Sequence, residues 1–215
     1  MFHQRRSRFN KDRTFIMRNI FRRFKTKKMR IVQNGHPALR RVSAPIAAID
    51  DDVRDLADKM TYTLMHNEIE GVGLAAPQVG VNKRIIVIYT CGGSPKDKSK
   101  LSPGEIVLNP LMPVALINPE LVSMSQETIC SGEGCLSLPG VGGDVVRAAR
   151  VILKATLLDG QTVQVECANL LAKCLQHEID HLDGILFIDK IPAEQLEEAK
   201  PALKLMEKEE VKRAK

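Results

Sequence analysis

Hydrophobic and polar positions change period several times along this chain, and each change marks an element. Val53, Leu56, Ala57, Met60 and Leu64 recur at intervals of three and four. That spacing predicts an amphipathic helix from an Asp50 N-cap to about residue 67, with Met60 and Met65 in the core and Gly71 beyond its end. The β-branched run at 83–89 predicts a strand. Shorter apolar runs at 105–108, 114–117, 121–129, 145–158 and 162–167 predict more strands, separated by Pro, Gly and an Asp159-Gly160 turn. Helical spacing returns at Leu170, Leu171, Ala172 and Leu175, and again after Pro192, where Leu196, Ala199, Leu203 and Met206 would pack a polar, charged helix. Strands in succession without intervening helices favour antiparallel pairing, hence an α+β fold rather than βαβ units. Residues 91–104 read as an exposed loop. The stretch 31–40 reads as an extended entry with a turn near Gly35 and Pro37 that leaves His36 at the surface.

Charge divides the chain in two. The first 28 of its 215 residues hold eleven Lys and Arg against Asp12 alone, a balance of +10, so residues 29–215 carry −4 of the net +6. Five of the six Phe also lie in this first piece. Ile16, Met17, Ile20, Phe21 and Phe24 fall on one helical face and Arg18, Arg22 and Arg23 on the other. Residues 1–28 therefore read as a basic extension. It could be an organelle presequence, an arm for ribosomal RNA or an anionic surface, or residues upstream of a translation start at Met29. Residues 29–215 have the length of one domain. No apolar run is long enough to span a bilayer, and no signal peptide or DNA partner is expected. Five cysteines, an odd number without a secretion signal, fit reduced thiols and a cytoplasmic setting. The alternative is a mitochondrial or plastid matrix if residues 1–28 are a presequence.

The chemistry concentrates at Gln176-His-Glu-Ile-Asp-His-Leu-Asp-Gly184. On a helix, His177 and His181 stand one turn apart on one face, where both imidazoles can reach one ion, with Glu178 beside them as a general base. Asp180 or Asp183 could accept a second ring N–H and fix a tautomer, or be solvated charges. A hydrolytic site needs a third protein ligand and one open position. A ligand three residues beyond Gly184 is ruled out, since Phe187 stands there. Glu194, Glu197 and Glu198 are downstream candidates and Cys135 is the stronger one upstream. The Gly-rich stretch 71–80 lacks the Lys-Ser/Thr ending of a phosphate loop; Gln78 could instead donate an N–H into a cleft.

Three blocks, Gly71-Val-Gly-Leu-Ala-Ala-Pro-Gln78, Glu133-Gly-Cys-Leu-Ser137 and Gln176-His-Glu-Ile-Asp-His181, stand in an order and at a spacing that resemble the peptide deformylases over essentially all of residues 29–215. The resemblance implies antiparallel sheets packed around a central metal-binding helix. It implies Cys135, His177 and His181 as metal ligands, Glu178 as base and acid, and Gln78 with the Leu136 amide as the oxyanion site. The implied substrate is the N-formylmethionyl end of a nascent peptide, bound as an added strand by Gly73 and the strand near Glu133. Val72, Leu170 and Cys174 would form the methionine pocket, and Arg147 would be a further contact. Gly142-Gly143 stands where some members carry a basic residue. Transient ribosome association is a further implication. Coordination chemistry alone suits zinc; the family implies Fe2+, with Ni2+ or Co2+ as substitutes. Two other classes share parts of this pattern, a zinc endopeptidase and a non-catalytic ribosome-binding protein. Cys91, Cys130 and Cys167 read as inert small hydrophobes.

Overall fold

The computed structural model describes residues 27–213. The extension expected at residues 1–28 lies outside these save for its last two residues. Helix α1 (Asp51–Met65) begins where Asp50 Oδ1 accepts from Val53 N at 2.9 Å, the cap the sequence predicts. After it come β1 (Gly73–Ala75), a 3-10 turn (Ala76–Val79), β2 (Ile85–Ile88), helix α2 (Pro103–Leu108), β3 (Val114–Met124), β4 (Thr128–Cys135), β5 (Leu138–Ala148), β6 (Arg150–Thr156), β7 (Thr162–Ala168), helix α3 (Asn169–Leu182) and helix α4 (Ala193–Arg213). All named strand pairs are antiparallel, in a five-stranded sheet ordered β1-β2-β3-β6-β7 and a separate β4-β5 hairpin.

The continuous apolar run of β2 is explained by burial on both faces. Ile86 and Ile88 pack with Leu116 and Leu153 against Leu171, Leu175, Ile179 and Leu182 of α3. Ile85 and Val87 pack on the other face against Val53, Leu56, Met60 and Leu64 of α1. At about 1.5–3 kcal/mol for each large aliphatic side chain buried, these two layers hold α3 rigidly against the sheet. A further core joins Leu138, Val141 and Val145 of β5 to Phe187, Ile191 and the Leu203 and Met206 face of α4. The antiparallel sheets around a central helix are thus the α+β arrangement expected.

Local predictions fail at six places. Residues 105–108 are helical, because Ser102 and Glu105 form a reciprocal capping box: Ser102 Oγ accepts from Glu105 N at 3.3 Å, and Glu105 Oε2 accepts from Ser102 N at 2.9 Å. That box also buries Ser102 and Gly104, so the end of the 91–104 loop is not exposed. The runs 114–117 and 121–129 are redistributed: β3 continues through irregular pairing near Asn118 to Met124, and the chain reverses before β4. Likewise 145–158 divides between β5 and β6 at Ala149. The glycine-rich β4-β5 hairpin was not predicted, since Gly132, Gly134, Gly142 and Gly143 depress strand propensity. His36 is a half-buried cap rather than a free surface residue: its Nδ1 accepts from Ala38 N at 3.2 Å.

Candidate active site

Helix α3 carries His177, Glu178 and His181 toward the end of β4, where the hairpin breaks register between Gly134 and Cys135 and turns at Leu136 and Ser137. The break aims the Cys135 thiol inward. Its Sγ lies 3.2 Å from His181 Nε2, and one ligand atom from each of Cys135, His177 and His181 lies within 4.8 Å of the others. This is the one group of three or more such side chains close enough to share an ion among the described residues. Glu194, Glu197 and Glu198 are exposed on α4 and do not belong to it. A thiolate with two imidazoles, and room for a further ligand, is a donor set that fits a borderline transition metal.

Glu178 is 3 % exposed, and its buried Oε2 has no partner among the described residues. A buried carboxylate oxygen without a donor is costly unless a substrate or solvent group meets it. Burial pushes the Glu178 pKa up to about 7, helped by the charge of Glu133 and opposed by those of His177 and Arg147. Gly73 makes this position possible. A Cβ on Gly73 would stand 2.7 Å from the Glu178 carboxyl carbon, so only glycine lets β1 run beside the carboxylate.

Gln78 is held in one orientation from the 3-10 turn after β1. Its Oε1 accepts from Ala75 N at 2.8 Å, which leaves Nε2 directed at Cys135 Sγ and Ser137 Oγ, each 3.4 Å away. Leu136 follows Cys135 and lines the same cleft.

Behind the two histidines runs a buried charge network. His177 Nδ1 is 2.8 Å from Glu133 Oε2; Arg147 donates Nε to Glu133 Oε1 at 2.9 Å and Nη2 to Glu133 Oε2 at 3.0 Å. Arg147 also pairs with Asp180, which Lys190 Nζ reaches from the surface at 2.6 Å. Burial works against ionisation of Glu133, but hydrogen bonds from His177 and Arg147 hold its pKa down at about 2. Burial also works against a charge on His177, yet its hydrogen bonds with Cys135 and Glu133 and the nearby negative charges raise its pKa to about 10. His181 is instead kept neutral, by burial and then by the charges of His177 and Arg147.

The orienting carboxylate is therefore Glu133, while Asp180 supports Arg147 and Asp183 pairs with Arg84 at 2.6 Å. Arg147, expected as a substrate contact, is 5 % exposed and lies beneath the histidine, where it pairs with the buried Glu133 and the half-buried Asp180. Glu133 presents its side chain to that network while its strand borders the cleft. Gln176, which sequence reasoning passed over, binds Ala148 at both ends: Oε1 accepts from its N and Nε2 donates to its O, each at 3.0 Å. It ties the histidine helix to the cysteine hairpin. The spacing Gln176-His177 was its only sequence signal.

These residues open onto a cleft of about 360 Å³ lined by Val72, Gly73, Leu170 and Cys174 and by β4, Leu136 and the start of β5. Val72 is 40 % exposed at the rim; Cys174 is buried, with Sγ 3.5 Å from Val72 O. Gly143 faces Ile191 and Gln195 with no room for a side chain.

The family profile described as Polypeptide deformylase matches residues 28–197. Peptide deformylase 2 of Gloeobacter violaceus is 43 % identical over 157 residues, covering 73 % of this chain and 75 % of that protein. A peptide deformylase of Acetivibrio thermocellus is 44 % identical over 161 residues, or 75 % of this chain and 82 % of its own. In three dimensions, the crystal structure of peptide deformylase from Ehrlichia chaffeensis aligns with a TM-score of 0.70 at 32 % identity, covering 88 % of this chain and all of the other. With a matching profile over most of its length, close relatives and a shared fold, this chain belongs to the polypeptide deformylase family.

Proposed function

We propose that this chain is a metal-dependent hydrolase that removes the formyl group from the N-terminal formylmethionine of newly synthesised polypeptides, releasing formate. The observation that carries the proposal is the meeting of Cys135, His177 and His181 beside the unpartnered Glu178 carboxylate in one cleft. Family membership makes the protein a metal-dependent deformylase; the zinc-endopeptidase alternative gains no support from it.

Cys135, His177 and His181 would hold the ion, with Glu133 and Arg147 fixing the His177 ring so that Nε2 faces it. When bound, the ion supplies Lewis acidity toward the formyl oxygen and the attacking water. Glu178 takes a proton from that water as its oxygen forms a bond to the formyl carbon. Gln78 Nε2 and the Leu136 N–H donate to the oxygen on which negative charge then collects. Glu178 returns the proton to the amine nitrogen as the carbon–nitrogen bond breaks, leaving formate and a free N-terminus. Gly73 and the β4 edge would pair with the peptide backbone, and Val72, Leu170 and Cys174 would receive the methionine side chain.

We assign Fe2+ as the working metal, on the family resemblance, with Ni2+, Co2+ or Zn2+ able to take its place. Residues 29–215 are the catalytic unit, acting in a cytoplasmic or organelle-matrix setting with transient ribosome contact. No helix among the described residues is long and apolar enough to cross a membrane. The test is formate release from formyl-Met-Ala-Ser by anaerobically purified, iron-loaded protein. Release is expected there and not from acetyl-Met-Ala-Ser, and a chain beginning at Met29 is expected to match the full-length rate. Cleavage of internal bonds in an unformylated peptide without formate release would overturn the proposal.

A further inference from the structure

The cleft carries a cation that the chemistry above does not use. Lys173 lies one helical turn before His177, on the same face of α3, and lines the cleft. Its Nζ donates to the carbonyl of Gly132 at 2.6 Å. Among the described residues strand β4 pairs with β5 alone, which leaves its other edge open. Main-chain groups alternate between the two edges of a strand. With the Gly132 carbonyl turned to Lys173, Gly132 and Gly134 present theirs to the open edge, where an extended peptide would add. Lys173 thus stands at the end of the groove along which such a peptide runs.

The charge is also uncompensated. Arg147 faces Glu133 and Asp180, Lys190 faces Asp180, and Arg84 faces Asp183. Among the described residues no carboxylate lies within ion-pair distance of Lys173. Of the acids lining the cleft, Glu133 is neutralised by Arg147 and His177, and Glu178 is buried at the reacting end. Glu70, exposed on the segment before β1, is the other charge at the mouth.

We propose that Lys173 makes this deformylase charge-selective, favouring peptides with an acidic rather than a basic side chain just after the formylmethionine. The proposal rests on the function assigned above. It is tested with formyl-Met peptides carrying Asp, Ala or Lys at the second or third residue, assayed on the iron-loaded wild type and on Lys173→Met, Lys173→Glu and Glu70→Gln. The readout is the ratio of kcat/KM between Asp and Lys peptides within one protein, so a general loss of activity cancels. In the wild type the ratio should be about threefold to tenfold at one of the two positions, the size of one partly exposed ion pair made against one repelled. It should reside in KM, shrink with added salt, fall to near one in Lys173→Met and invert in Lys173→Glu. Glu70→Gln should raise it. An equal ratio in wild type and Lys173→Met at both positions overturns the proposal. If no formyl peptide is hydrolysed, the functional assignment fails instead. Dissociation constants of the same peptides, by calorimetry on the metal-loaded protein, then give the ratio that decides on Lys173.

Discussion

Gly73 and Glu178 share one small volume, and that sharing is the tightest constraint on the site. A methyl group on residue 73 would press on the carboxyl carbon, for which the same helical turn offers no alternative place because Glu178 is packed and 3 % exposed. Gly73→Ala should therefore fold and keep its metal while losing about 100-fold in kcat/KM, the usual effect of displacing a reacting group by about 1 Å. Metal analysis beside formate kinetics checks this; an unchanged rate would mean that the carboxylate position is not critical. The thiols divide as sharply. Cys130, read as an inert small hydrophobe, is exposed, whereas Cys167 is buried, its pKa pushed up to about 12 by burial and then by the charges of Glu105 and Glu166. In native protein at neutral pH, maleimide should label Cys130 within minutes and Cys167 only after unfolding, as mass spectrometry of the labelled peptides would record.

Helix α3 and the β4-β5 hairpin act as one unit through Glu133–His177, Arg147–Asp180, Gln176–Ala148 and Lys173–Gly132. Removing the central cation leaves the buried Glu133 carboxylate with His177 alone and Asp180 with Lys190 alone, so Arg147→Leu should cost about 3–5 kcal/mol. For a chain of this size that lowers Tm by roughly 10 °C. Calorimetry measures the shift, and a fall of less than about 2 °C would show that the network is not structurally important. This scale also explains what the sequence could and could not reveal. His177, Glu178 and His181 were legible from helical period, and α1 from its Asp50 cap, because both signals are local. Cys135 could be named as an upstream candidate, but its role as the third ligand followed from matching whole blocks, since nothing local says that a glycine-rich stretch will fold back as β4 and β5. Glu133 and Arg147 pair across that hairpin and beneath α3, a relation between segments that spacing does not encode, and the nearer Asp180 and Asp183 drew the role instead. At residues 105–108 the β-branched composition was a weaker signal than the Ser102-Glu105 capping box beside it.

At the scale of the whole molecule, the five-stranded sheet holds α3 on one face and α1 on the other, so that the histidine helix is held against the sheet while it meets the hairpin in an open cleft. The bulk of the fold thus brings the Cys135, His177 and His181 donor atoms within 4.8 Å of one another, with the Glu178 carboxylate and Gln78 lining the same cleft. Loss of the thiol should break this convergence: Cys135→Ala is expected to lose most of its metal on dialysis, whereas a third ligand drawn from α4 would leave metal content unchanged. The central claim is that Glu178 moves the proton at a metal site it does not itself hold together. The most direct measurement is formate release from formyl-Met-Ala-Ser by wild type and Glu178→Gln, both iron-loaded under anaerobic conditions, with iron content determined in the same samples. We predict equal iron in the two proteins and a rate lower by about 10²- to 10⁴-fold in the variant, the range for a lost general base. Equal rates at equal iron would contradict the account.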